Sequence, residues 1–226
     1  ILLKKLFYIM MAVSLAAPHS LVFAAGVSGE LARDIEEVYV AGDAATAQSL
    51  ANSEAASVGT VLAAQIEHRP ALRPAELLET IPGMVVTQHS GDGKANQYFL
   101  RGFNLDHGSD FSNYVDGVPV NMVSHGHGQG YTDLNFLIPE LVDRIVYRKG
   151  PYNAESGDFS SAGSARTAYK RQIGSQNIKL TVGENGYGRV LVYGGDDMAG
   201  GHLVYAVESM QNDGPWQVEE GFDKKN

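Results

Sequence analysis

Past residue 69 the apolar positions come in short bursts separated by Gly, Pro and Asp, which predicts brief strands and helices rather than long helical stripes. Pro74 opens a short helix over Ala75–Thr80, and Ile81-Pro82-Gly83 ends it, because Pro cannot continue a helix and Gly accepts a left-handed turn. Met84–Gln88 reads as a strand, Gly91–Lys94 as a loop, and Gln97–Arg101 as a second strand stopped by Gly102. Two β-prone arms around Asp116-Gly117 predict a tight hairpin over 113–120. Asp133–Ile138 reads as a short helix ended before Pro139, and Leu141–Arg148 as a strand closed by Lys149-Gly150-Pro151. Interleaved short helices and strands make an α+β unit over about 70–170.

Beyond Gln176 the period shortens to two. Ile178, Leu180 and Val182 alternate with Lys179, Thr181 and Gly183. Glu184-Asn185-Gly186 turns the chain into Tyr187–Tyr193, and Gly194-Gly195-Asp196-Asp197 turns it again into His202–Glu208, where Leu203, Tyr205 and Val207 share a face. This is an up-and-down meander. It fits either a small sheet packed on the preceding unit or the first strands of a membrane barrel. Phe222–Asn226 closes no recognisable element and the sequence opens on Ile1, so the chain reads as a piece of something longer.

The front differs again. Lys4-Lys5, an apolar run over Leu6–Ala17 and the small-residue stretch ending at Ala24-Ala25 have the layout of a secretory signal peptide over 1–25. Pro18-His19-Ser20 breaks the apolar run well short of the roughly 20 residues a membrane helix needs. Residues 26–68 are rich in Ala, Ser and Gly, and read as a flexible segment. Their one β-prone island, Ile35–Val40, is either an ordinary edge strand or a peptide that adds to a partner's sheet.

Charge and composition narrow the classes. Seventeen basic against 26 acidic residues give a formal charge of −9, and cleavage after the leader would remove two lysines and no acid. Such a chain lacks the basic surface that nucleic-acid binding requires. The absence of Cys excludes a disulfide scaffold, a thiolate metal site and a thiol nucleophile.

Four segments in order carry a resemblance: Leu77–Val86, Phe99-Leu100-Arg101-Gly102-Phe103, Tyr114–Val120 and Val142–Pro151. Together they resemble the plug domain of a TonB-dependent outer-membrane receptor. The resemblance implies a plug over 69–170, followed over 171–226 by the first antiparallel strands of a transmembrane β-barrel of about 22 strands. It implies an outer-membrane location, a periplasmic N-terminus, no enzymatic activity and no resident cofactor. The implied partners are outer-membrane lipid, a small extracellular ligand, and TonB with its inner-membrane energy-coupling complex. Glu37, Val38, Tyr39 and Val40 become the TonB-pairing box. Arg101 and Arg144 become the plug arginines that pair with glutamates on the barrel wall, a task suited to the guanidinium fork. After Gly150-Pro151 this chain keeps a small, Gly-rich character but departs from the wording of many relatives.

The most chemically loaded stretch is Ser124–Tyr131, with His125-Gly126-His127 at its centre and Asp106-His107, Asp110, Asp133 and His89 around it. In the family, outward plug loops help form the ligand site. That makes His107, His125, His127, Tyr131 and Asp133 candidate ligand contacts, with His125 and His127 as candidate metal ligands. Imidazole and carboxylate suit Zn, Cu, Ni or Fe, so a metal chelate or siderophore is the expected cargo. The same side chains would equally hydrogen-bond a carbohydrate, or simply serve a polar loop. Two further readings remain. One is an exported metal-dependent hydrolase built on His107, His125, His127 and Asp133, although the chain has neither a His-Glu-x-x-His helix nor a Gly-x-Ser-x-Gly elbow. The other is a free periplasmic plug-like binding module.

Overall fold

The computed structural model describes residues 56–69, 72–88, 93–215 and 221–226. The leader, the Glu37–Val40 box and His89 lie outside the described residues. In chain order the elements are β1 (Val58–Leu62), α1 (Ala63–Glu67), a 3-10 helix (Pro74–Thr80), β2 (Met84–Thr87), β3 (Gln97–Leu100), β4 (Phe103–Asn104), β5 (Phe111–Val115) and β6 (Val118–Pro119). They continue with a 3-10 turn (Pro139–Leu141), β7 (Val142–Lys149), a 3-10 turn (Ala154–Ser156), β8 (Gly163–Tyr169), β9 (Asn177–Val182), β10 (Gly188–Met198), β11 (Gly201–Asn212) and β12 (Phe222–Lys225).

Three sheets result. A mixed sheet runs β1-β7-β8-β5-β6, a small one β2-β3-β4, and a separate antiparallel one β12-β11-β10-β9. In the mixed sheet only β5 and β8 pair in parallel. Alternation along β7 buries Val142, Ile145, Tyr147 and Lys149. Against these pack Leu77, Leu78, Ile81, Tyr98, Leu105, Phe111 and Leu137 as one core.

Local chemistry explains most elements. Asp116 (φ 47°) and Gly117 (φ 84°) form the expected two-residue turn, closed by the Val115–Val118 pair. Arg101 (φ 54°) and Gly102 (φ 80°) do the same between β3 and β4. Three expectations need correction. The helix at 75–80 is a 3-10 helix: Ile81 N–H bonds Leu78 O at 3.0 Å, the tight pitch favoured in a short piece hemmed in by Pro74 and Pro82. Asp133–Ile138 is not helical. Asp133 Oδ1 accepts the Asn135 N–H at 2.8 Å, and this local turn competes with a helix. Val58–Glu67, assigned from sequence to the flexible segment, belongs to the folded unit: β1 pairs with β7 along its whole length, and Val61 and Ile66 join the core.

In the last sheet, Gly194–Asp197 lies inside β10 rather than in a turn. A Cβ on Gly195 would sit 2.8 Å from the Ile173 carbonyl oxygen, so the glycine serves a close approach. The reversal falls at Ala199-Gly200, where φ is 51° and 80°. Phe222–Lys225, which looked structureless, pairs with Ser209–Asn212. Its polar residues find their strand through tertiary partners rather than propensity.

Candidate functional site

The loop between β4 and β5 sets the first residue of the site. Asn104 Oδ1 accepts the Asp106 N–H at 2.8 Å and holds Asp106 at φ 48°, which turns the next side chain inward. His107 is buried, its Nδ1 lying 2.9 Å from Ala95 O and 3.2 Å from Asn96 O. Tyr131 closes the same spot, its hydroxyl accepting the Ala95 N–H at 2.8 Å.

The glycine-rich loop then returns over these two rings. Met122 and Tyr131 form an antiparallel bridge. Asn121 lies at its base, with Nδ2 within 2.9–3.0 Å of the Gly108, Phe111 and Gly130 carbonyls and Oδ1 accepting the Asn113 N–H at 2.6 Å. Gly130, at φ 85°, passes so close to Ser109 that a Cβ would lie 2.9 Å from its Cα. The His125 ring stacks on Tyr131 with centroids 3.8 Å apart and planes 14° apart. His127 stands edge-on to His107 at 5.3 Å and lies 5.8 Å from His125.

Four of the five residues expected at a ligand site, His107, His125, His127 and Tyr131, therefore gather into one cluster of rings. The fifth, Asp133, is half-buried, with Oδ1 accepting the Asn135 N–H. Asp110 accepts hydrogen bonds from the Ser109 and Ser161 hydroxyls. Among the described residues no group of three or more His, Cys, Asp or Glu is arranged to hold a metal ion. Asn121 was missed in the sequence because its partners lie 8 to 13 residues away, beyond any local turn pattern.

Arg101 and Arg144 are both exposed. Arg101 lies 3.5 Å from the Ser57 hydroxyl, while Arg144 pairs with its neighbour Asp143 at 2.6 Å. Beside Arg101, burial and then the Arg101 charge lower the pKa of Lys149, whose Nζ donates to Pro82 O at 2.9 Å.

The strongest ionic contact was not anticipated. Glu140, at the end of the mixed-sheet domain, accepts both terminal nitrogens of Arg189 in β10, at 2.6 and 2.8 Å. It also takes Lys179 of β9 at 2.8 Å. Arg189 Nε reaches Glu208 of β11 at 2.6 Å, and Glu208 takes Lys224 of β12 at 2.7 Å. Burial alone would raise the Glu140 carboxyl, but the hydrogen bonds from Arg189 and Lys179 outweigh it and hold its pKa at about 2. The cluster ties all four strands of the last sheet to the mixed-sheet domain.

Comparison with known proteins places this architecture. The TonB-dependent receptor plug domain matches residues 51–164. Among solved structures, the copper transporter OprC superposes with a TM-score of 0.53 at 22% identity, over 69% of this chain and 24% of its own. The siderophore receptor PirA of Pseudomonas aeruginosa gives 0.53 at 19% identity, over 76% and 31%. A variant of the ferric enterobactin receptor PfeA of Pseudomonas aeruginosa, bound to enterobactin, gives 0.52 at 18%, over 70% and 25%. The chain thus matches 24–31% of the length of these proteins. With the profile matching half of the sequence, and the mixed sheet followed by antiparallel strands, the chain belongs to the TonB-dependent receptor plug-domain family.

Proposed function

We propose that this chain supplies the plug and the first barrel strands of an outer-membrane receptor that takes up a scarce small ligand by TonB-coupled transport, a siderophore or metal chelate being the cargo. The observation that carries this reading is the inverted partition of the last sheet. Ile178, Leu180, Val182 and Val207 are 63%, 68%, 84% and 64% exposed, whereas Arg189, Glu208 and Lys224 are buried against the mixed-sheet domain. Apolar outside and charged inside is the arrangement of a barrel strand that faces lipid on one side and a polar lumen on the other. The 11 residues of β10 and 12 of β11 also suffice for tilted strands to cross a bilayer.

Within this reading, cargo binds from outside against the ring cluster and Asp133. TonB pairs with Glu37-Val38-Tyr39-Val40 by strand addition and pulls on the plug. Arg101 and Arg144 pair with barrel glutamates. Cargo biases the receptor only to the extent that it prefers the TonB-engaged state. No covalent chemistry is required. The siderophore and copper neighbours support the choice of cargo class.

The absence of native Cys allows a direct test. With Y39C in the full-length gene and a single Cys in the facing strand of TonB, a disulfide cross-link is expected in the outer-membrane fraction. Recovery of the protein in the soluble periplasm, without a cross-link, would refute the proposal.

A further inference from the structure

We propose that Asn121 is the positioning residue of the ring cluster: its side-chain amide ties together the separate backbone segments that carry His107 and Tyr131, and through them sets where His125 and His127 face. This rests on the receptor reading above only for what those rings touch, cargo arriving from outside.

The partners fix which way the amide points. Carbonyl oxygens only accept and a backbone N–H only donates. Nδ2 therefore faces the Gly108, Phe111 and Gly130 carbonyls, at 2.9, 3.0 and 3.0 Å, and Oδ1 faces the Asn113 N–H at 2.6 Å. Two amide hydrogens serve three acceptors, so at least one hydrogen is shared. Gly108 directly follows His107, Gly130 directly precedes Tyr131, and Phe111 and Asn113 belong to β5. One side chain thus fastens both roots of the cluster to the mixed sheet.

Each of the three carbonyls also has a nearer donor. Gly108 O accepts the Phe111 N–H at 3.3 Å, Phe111 O the Asn113 side-chain amide at 3.3 Å, and Gly130 O the Thr132 hydroxyl at 3.0 Å. These bonds stay within one segment. Removing the Asn121 amide therefore strands no carbonyl, and what goes is the tie between segments. The outer rings depend on that tie. His125 Nδ1 accepts the His127 N–H at 3.1 Å, a bond internal to the loop. Beyond it, the His125 ring lies on Tyr131 with centroids 3.8 Å apart, and His127 stands against His107 at 5.3 Å. Their placement is inherited from the two rings beneath. Ala95 fixes the tips of those two, at the Tyr131 hydroxyl and at His107 Nδ1. Asn121 fixes the backbones from which they spring.

The test is NMR of the full chain in detergent, with its histidine rings isotope-labelled and the His125 signals assigned through H125A. In the parent, stacking on Tyr131 should shift the His125 ring protons upfield through the tyrosine ring current. N121A should lose that shift. N121D, of the same shape but with an acceptor where the donor was, should lose it as completely, and N121A decides if N121D fails to fold. The signals of His68, after α1, and of His202, in β11, should stay in place. T132V, which removes only a local donor to the Gly130 carbonyl, should keep the His125 shift. A parental His125 shift in N121A, or equal loss in T132V, would overturn the role. So would movement of the His68 and His202 signals along with it, which would reduce Asn121 to a general stabiliser. Loss of the shift in N121A without any cross-link of Y39C to TonB upholds the positioning role and removes the receptor reading. A parental shift in N121A with the cross-link formed does the reverse.

Discussion

The mixed sheet and the last sheet use the same two-residue alternation and partition it in opposite directions. In β7 the apolar positions Val142, Ile145 and Tyr147 turn into the core while Arg144 faces out. In β9 and β10 the cross-strand row Ile178–Val192 continues to Val207 on the outer face, while Lys179–Leu191–Glu208 faces the mixed-sheet domain. A period of two fixes only which residues share a face; what that face meets is decided by its surroundings. The first sheet is built to exclude water from its interior. The second presents its apolar row outward and buries its ions, an arrangement suited to a sheet that faces lipid rather than water.

Breaking the ionic side of this contrast should have the largest effect. R189A leaves Glu140 and Glu208 buried without their common partner and should destabilise the attachment of the last sheet by about 3–5 kcal/mol, measured by denaturant unfolding in detergent. The same contact has a pH signature. Because folding lowers the Glu140 pKa from 4.5 to about 2, its stabilisation is complete above pH 4.5 and is lost as pH falls toward 2. E140Q should abolish that acid-sensitive component. On the apolar side, L180R should cost about 2–4 kcal/mol in a bilayer if the site lies near the midplane; equal stability of L180R and parent in lipid would break the comparison. Within the mixed sheet, G117A forces a Cβ into a φ of 84° and should cost about 1–2 kcal/mol by thermal unfolding. Smallest of all, R144A removes an exposed pair with Asp143 and should change the stability of this chain by less than about 1 kcal/mol. A larger loss in the full-length protein than in this chain would mark the expected barrel partner.

The sequence disclosed what local chemistry decides. The Asp116-Gly117 hairpin, the strand after Pro82-Gly83 and the long strand ending at Lys149 all carry their stop signals within a few residues. It concealed what distant residues decide. Asp133 starts a turn rather than a helix because its carboxylate finds Asn135 and Asn135 finds the Lys94 carbonyl. Gly194-Gly195 looks like a reversal but exists to let the chain near Ile173 pass. The ring cluster was half visible: His125, His127 and Tyr131 lie close in sequence, but His107 joins them only through the β3–β4 hairpin, and Asn121 has no local signature. Glu140 and Arg189 are 49 residues apart, and no periodicity links them.

The central claim is that Leu180 and Val207 face lipid while Lys179 and Glu208 face the plug. A nitroxide attached to single-cysteine variants of the full-length protein in outer membranes measures this by its relaxation with lipid-dissolved oxygen against a water-soluble nickel chelate. Labels at L180C and V207C should respond to oxygen and be shielded from nickel, and the label at K179C should lack that oxygen preference. Labels at 180 and 207 that respond mainly to the nickel chelate would place this face in water and contradict the account.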